Sequence, residues 1–90
     1  MSELTLVDVR EQWEWDAGRI DAAIHIPIGS LLARLDEVSD QRPILMVCRT
    51  GARSGDAAEY LRGIGYDAEN LDGGLKAWAE AGFPISGMVV

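Results

Sequence analysis

Pro43-Ile-Leu-Met-Val-Cys-Arg-Thr-Gly-Ala-Arg-Ser54 decides how this chain folds. Pro43 to Val47 are five uncharged residues, the pattern of a strand buried on both faces of a parallel sheet. Ser54 opens a segment to Ile64 in which Ala57, Ala58, Leu61 and Ile64 share one face of a helix. Between the two lies Cys48, the only cysteine, on a tight strand-to-helix loop. The N–H groups and partial positive charge of a helix start act on that loop. Together with Arg49 and Arg53 they favour thiolate over thiol, and cysteines in such settings have pKa values of ~3.5–7.5 instead of about 8.5. The alternative fate of a lone cysteine is a small buried hydrophobe. Two cations, a pliable Gly51 and a helix start on one loop favour the nucleophile.

Working outward, Leu4–Val9 reads as a first strand and Glu11–Ala17 as a short helix carrying Trp13 and Trp15, ended by Gly18. Ala22–Ile26 is a second strand closed by Pro27. Ser30 can cap a helix with Leu31, Leu32, Leu35 and Val38 on one face, and Asp40-Gln-Arg-Pro43 is a turn. Gly65 stops the Ser54–Ile64 helix. Asp67–Leu71 is a fourth strand, Gly73-Gly74 a turn, and Leu75–Ala81 a last helix halted by Gly82 and Pro84. Strands alternating with helices imply right-handed crossovers and a three-layer α/β fold, an open sheet of about four mainly parallel strands with helices on both faces.

Ninety residues allow one domain, residues 1–90, with a modest core. With 48% hydrophobic and 26% charged residues the chain is globular, not disordered. A net charge of −7 argues against a nucleic-acid surface and makes the arginines beside Cys48 a local reversal of sign. No apolar run approaches the roughly 20 residues of a membrane span. Met1-Ser-Glu3 lacks the start of a secretory signal. These features point to the cytoplasm. A single histidine, His25, cannot make a metal site and reads as structural.

Several segments in order resemble the rhodanese-like sulfurtransferases. They are Leu6-Val-Asp-Val-Arg-Glu11, the glycine-to-proline crossover Gly18-Arg-Ile-Asp-Ala-Ala-Ile-His-Ile-Pro27, and the six-residue loop Cys48 to Arg53 with Ser54. Leu71-Asp-Gly-Gly-Leu75 and Ala77-Trp78 through Gly82-Phe-Pro84 complete the likeness, which runs from Leu4 to Ser86. The resemblance implies that the third strand lies beside the first, with the second and fourth outside them. Cys48 then ends a strand at the point where the order reverses, where ligands of open α/β sheets collect. The family usually carries one more strand and helix before the first strand here. Their lack would leave the fourth strand as an open edge, able to be covered by Met88-Val-Val90 or by a second copy in a homodimer.

The same resemblance implies a catalytic Cys48 that takes sulfur from a small anionic donor such as thiosulfate. It then passes the sulfur, as a persulfide, to a thiol or protein acceptor, with no metal or organic cofactor. Gly51 and Ala52 shape a loop whose N–H groups converge on an anion. At least one of Arg49 and Arg53 attracts the donor, Arg53 being the better match to the family's loop-closing arginine. Thr50 serves either bound sulfur or the turn, and Ser54 either caps the helix or joins the chemistry. Asp8 and Arg10 brace the loop without chemistry of their own. Two alternatives remain open: a non-catalytic module that binds or senses a partner or acts as a partner-dependent persulfide carrier, or a cysteine phosphatase or arsenate reductase. The latter families resemble Cys-x5-Arg, whereas this chain has Cys48-x4-Arg53.

Overall fold

In the computed structural model, which describes residues 4–90, side chains of the two central strands alternate between faces. These strands are β1 (Thr5–Asp8) and β4 (Ile44–Val47). Val7, Ile44, Met46 and Cys48 join one buried cluster with Ala57, Ala58 and Leu61 of α2 (Ala52–Gly63). Val47 joins another with Leu75 of α3 (Gly74–Glu80), against which Leu6 and Trp15 pack. Trp15 belongs to α1 (Gln12–Ala17). Helices therefore cover both faces of the sheet. Met1-Ser-Glu3, on which the expectation about a secretory signal rests, lies outside the described residues. No helix among the described residues is long and apolar enough to cross a membrane.

The sheet order is β3-β1-β4-β5, all parallel, where β3 is Ile24–His25 and β5 is Ala68–Asn70. The strands expected first and third are thus neighbours, and register pairs Asp8 with Val47 and with His25. All these strands finish at the rim where Cys48 begins its loop. The fourth expected strand, β5, stands at the edge. Arg62 of α2 donates to the Ala68 carbonyl at 2.8 Å, blunting that edge as charged side chains do. The tail does not cover it. Instead β6 (Ser86–Gly87) pairs antiparallel with β2 (Gly18–Arg19), two short strands absent from the sequence reading.

The helix expected from Ser30 is not an α-helix. Residues Ile28–Ser30 and Leu32–Glu37 form 3₁₀ turns, and Arg34 leaves helical dihedrals at φ −117°, ψ 21°. Ser30 makes no capping bond. Three-residue closures place Leu31 and Val38 in the core while leaving Leu32 62% exposed, so the four apolar residues do not share one face. The Arg34 guanidinium donates to both oxygens of Glu37 at 2.7 and 2.8 Å, holding the last turn across that break.

Beneath the rim lies a fully buried ion pair. Arg10 and Asp8 are 0% and 1% exposed, with Arg10 Nε and Nη2 on the carboxylate at 3.0 and 2.9 Å. The remaining Arg10 donors bind the Glu14 carbonyl at 3.3 Å and the Gly18 carbonyl at 2.7 Å. One guanidinium thereby ties the end of β1 to both ends of the α1–β2 turn. Removing one partner of such a pair leaves a buried charge uncompensated. Asp8→Ala should lower stability by about 3–5 kcal/mol, read from urea unfolding with an unchanged m-value. A loss below about 1 kcal/mol would show that the pair braces nothing.

Candidate active site

Cys48 leaves β4 at the sheet's reversal point and is 1% exposed. The chain then turns so that α2 begins at Ala52, two residues before the expected start, with Gly51 at the N-cap in left-handed backbone (φ +102°). That conformation aims amides inward. Gly51 N–H donates to Cys48 Sγ at 3.1 Å and Ser54 N–H at 3.4 Å, while Ser54 Oγ lies 3.2 Å from the sulfur. Burial pushes the thiol up. The Ser54 hydroxyl and the N–H groups of Ser54, Gly51 and Thr50 more than offset it, so Cys48 lies below the ordinary thiol value.

The loop can turn its amides inward because its carbonyls are taken elsewhere. Leu75 N–H donates to the Cys48 carbonyl at 2.8 Å and Lys76 N–H to the Arg49 carbonyl at 2.9 Å. The first turn of α3 thus caps the outer side of the loop. Close approach requires Gly74, in left-handed backbone at φ +65°, where a Cβ would overlap the Arg49 carbonyl. The Gly73-Gly74 turn therefore serves the loop by close approach.

Neither arginine touches the sulfur. Arg53 Nη1 and Nη2 grip the two oxygens of Glu14 at 2.7 and 2.9 Å, locking α1 to the first turn of α2. Arg49 Nε donates to a main-chain oxygen of Val90 at 2.8 Å. The hydrogen bonds that favour the thiolate thus come from amides and a hydroxyl, while Arg53 acts on the sulfur only through its charge, without contact. Thr50 and Ala52 are exposed, with Thr50 contributing its amide rather than a hydroxyl contact. Ser54 lies inside α2 and faces the sulfur, so it is no helix cap. Asp8 and Arg10 lie beneath the loop, engaged with each other.

Two residues at the site escaped the sequence reading. Asn70, at the end of β5, accepts the Ser54 hydroxyl at 2.5 Å and donates to the Gly51 carbonyl at 3.0 Å. An asparagine within a strand pattern is the signal that could have found it, being a poor strand former. Glu14 is the other. Its signal was local: Glu11 and Glu14 are three apart, and Glu11 N–H donates to Glu14 Oε1 at 3.0 Å, a helix-start arrangement. His25 Nε2 lies 2.7 Å from the Arg10 carbonyl and its ring stacks on Trp15 at 4.8 Å, while Trp13 is 65% exposed. Among the described residues no three His, Cys, Asp or Glu side chains gather as a metal site.

The Arg53 guanidinium holds the Glu14 carboxyl down from 4.5 to about 2, against the raising effect of burial. A depressed carboxylate contributes stability above its unfolded value and loses it as pH falls through the folded one. The contribution is therefore full above about pH 4.5 and vanishes toward about pH 2. Because Arg53 stays 36% exposed, solvent screens the pair, leaving roughly 1–3 kcal/mol. Glu14→Gln should lower the urea midpoint at pH 6 and converge on the parent protein near pH 2. A gap that does not depend on pH would assign the loss to packing.

Comparison with known proteins agrees with this architecture. Residues 1–81 match the Rhodanese-like domain. A sulfurtransferase of Allochromatium vinosum is 39% identical over 84 residues, covering 92% of this chain and 78% of that protein. An HTH-type transcriptional regulator of Mycobacterium tuberculosis is 41% identical over 85 residues, covering 92% of this chain, which spans only 38% of the regulator's length. The crystal structure of a rhodanese-related protein from Thermoplasma volcanium superposes with a TM-score of 0.87 at 32% identity, covering 92% of this chain and 83% of that one. With a family match over residues 1–81 and relatives this similar in sequence and in structure, this chain belongs to the rhodanese-like domain family.

Proposed function

We propose that this chain is a cytoplasmic sulfurtransferase that carries sulfane sulfur on Cys48. The thiolate attacks the outer sulfur of an anionic donor such as thiosulfate. The S–S bond of the donor breaks and sulfite leaves with its electron pair, so Cys48–S–S⁻ forms with charge conserved. An acceptor thiolate, on a small molecule or another protein, then attacks the outer sulfur and returns Cys48 as thiolate. This is covalent catalysis in two steps and uses no redox partner.

One observation carries the reading: a buried sulfur surrounded by two amides and a hydroxyl within 3.4 Å. Such a cradle stabilises an anion without a mobile cation, as preorganised donors do in an oxyanion hole. The donors sit on the loop and the first turn of α2, and α3 fixes the loop from behind, so little reorganisation accompanies loading. The Allochromatium vinosum relative bears the name sulfurtransferase, which supports sulfur transfer as the class of reaction. A lone thiol suits a reducing compartment.

Donor recruitment falls to Arg49 in this reading. Both Nη groups of Arg53 are engaged by Glu14, whereas Arg49 has only Nε committed, to a main-chain oxygen of Val90, among the described residues.

Cys48→Ser should abolish sulfur loading while keeping the fold, because a hydroxyl is a far poorer nucleophile at neutral pH. Intact-protein mass spectrometry after thiosulfate treatment checks it. A reducible extra sulfur on the serine variant would rule out Cys48 as the carrier.

Arg49→Ala should raise KM for thiosulfate by about five-fold, the size of one screened charge interaction near a surface. Its kcat should change little. Added salt should raise KM in the parent protein and less in the variant. Should Arg49→Ala match the parent in KM and salt dependence, recruitment by Arg49 is wrong and an uncharged or protein-borne sulfur source fits better.

A further inference from the structure

The hydrogens around Ser54 can be counted. Asn70 Nδ2 has two, one donated to the Gly51 carbonyl and one to Asp72 Oδ1, each at 3.0 Å. Both partners are acceptors, so the amide cannot be the other way round without setting its oxygen against them. Asn70 Oδ1 therefore faces Ser54 Oγ at 2.5 Å with no hydrogen of its own. Ser54 has a single hydroxyl hydrogen and two acceptors for it, Asn70 Oδ1 and Cys48 Sγ at 3.2 Å. It can serve only one at a time.

We infer that Asn70 is a positioning residue that competes with Cys48 for the one Ser54 proton and so sets how basic and how reactive the sulfur is. While Cys48 is a thiol, the Ser54 hydroxyl donates to Asn70 Oδ1 and its oxygen faces the S–H. When the thiol ionises, the hydroxyl turns to the sulfur and Asn70 Oδ1 gives it up. No bond is made or broken in this step beyond the loss of the thiol proton to water; the hydroxyl only rotates.

The inference rests on the sulfur-carrier reading for its purpose. A thiolate held by too many donors is abundant but sluggish, since intrinsic nucleophilicity falls with pKa and the best attacking thiol titrates near ambient pH. A competitor for one donor keeps Cys48 from that extreme. After loading, the charge sits on the outer sulfur, so Sγ no longer needs the hydroxyl, which turns back to donate to Asn70 Oδ1. Asn70 acts on the other donors too, because its amide fixes the Gly51 carbonyl and with it the loop.

The groups facing the sulfur come from several elements. The loop itself supplies Arg49, turned to Val90, and α2 supplies Arg53, paired with Glu14 of α1 and acting on the sulfur through its charge. Asp72 follows β5 and reaches the site through Asn70. Asp8 of β1 is paired with Arg10. None of them contacts Ser54, so a change at Asn70 that depends on Ser54 isolates the shared proton.

The test is a double-mutant cycle read by the pH profile of iodoacetamide labelling of Cys48, with no sulfur donor present. Ser54→Ala should raise the apparent pKa. Asn70→Ala both frees the Ser54 hydroxyl for sulfur and unties Gly51; in the Ser54→Ala background only the second effect remains. The shift caused by Asn70→Ala should therefore lie lower in the parent background than in Ser54→Ala by about half a pH unit or more, one modest hydrogen bond. Equal shifts in the two backgrounds, or a difference of opposite sign, overturn the inference. Asn70→Leu, which keeps the volume and has neither donor nor acceptor, runs the same cycle if the alanine variant is unstable. Because labelling needs no sulfur chemistry, a protein that loads no sulfur yet shows the coupling refutes only the carrier reading. One that loads sulfur with additive shifts refutes only the role of Asn70.

Discussion

Everything at this site depends on where the carbonyls of Cys48 and Arg49 go. Each residue in a loop carries one donor and one acceptor, and both must be satisfied when buried. A loop can turn its amides toward a sulfur only if something else accepts the task of binding its carbonyls. The first turn of α3 does so, with the Leu75 and Lys76 amides that a helix start leaves unpaired. Two helix N-termini therefore meet at one loop: α2 offers amides to the sulfur from inside, and α3 offers amides to the loop from outside. The Gly73-Gly74 turn exists to bring α3 that close, since a side chain at Gly74 would occupy the Arg49 carbonyl.

Charge is arranged to hold this geometry without crowding the sulfur. Arg10 is buried with Asp8 and uses its remaining donors on the backbone around α1. That places α1 so that Glu14, itself 4% exposed, meets Arg53 at the first turn of α2. The connection runs from the end of β1 through α1 to the loop, and each junction is a multi-donor guanidinium contact with fixed geometry. A net charge of −7 would otherwise disfavour a thiolate. Two amides and a hydroxyl within 3.4 Å of the sulfur offset this locally.

How much of this was legible follows from the range of each interaction. The apolar run Ile44–Val47 and the helical spacing of Ala57, Ala58 and Leu61 announce themselves, because burial of one strand and one helix face is written in adjacent residues. The loop and its cysteine were legible for the same reason. The Ser30–Val38 stretch misled, since spacing of apolar residues by three and four fits an α-helix and successive 3₁₀ turns alike. The β2–β6 pair joins residues 18–19 to 86–87, and nothing local in two residues marks a strand. The pairing of Arg53 with Glu14 is hidden for a similar reason, since the two lie 39 positions apart. Asn70, 16 positions from Ser54, had only its poor strand propensity to show.

The loop's length also bears on which anion it suits. Arg53 is the fifth residue after Cys48, and the helix that it opens turns its guanidinium onto Glu14 rather than back over the sulfur. A tetrahedral oxyanion presents several oxygens and is best met by a bidentate guanidinium added to the amides. Here that fork is occupied, and the nearby carboxylates are engaged as well: Asp8 by Arg10, Glu14 by Arg53 and Asp72 by Asn70. What is left at Cys48 is a small set of inward amides and one shared hydroxyl. A single anionic sulfur can use such donors fully, because it is one atom with diffuse charge and needs no fork. The one-residue difference from a Cys-x5-Arg loop thus acts through direction: it sends the arginine's fork to Glu14 of α1, and leaves contact with the sulfur to the amides and the Ser54 hydroxyl.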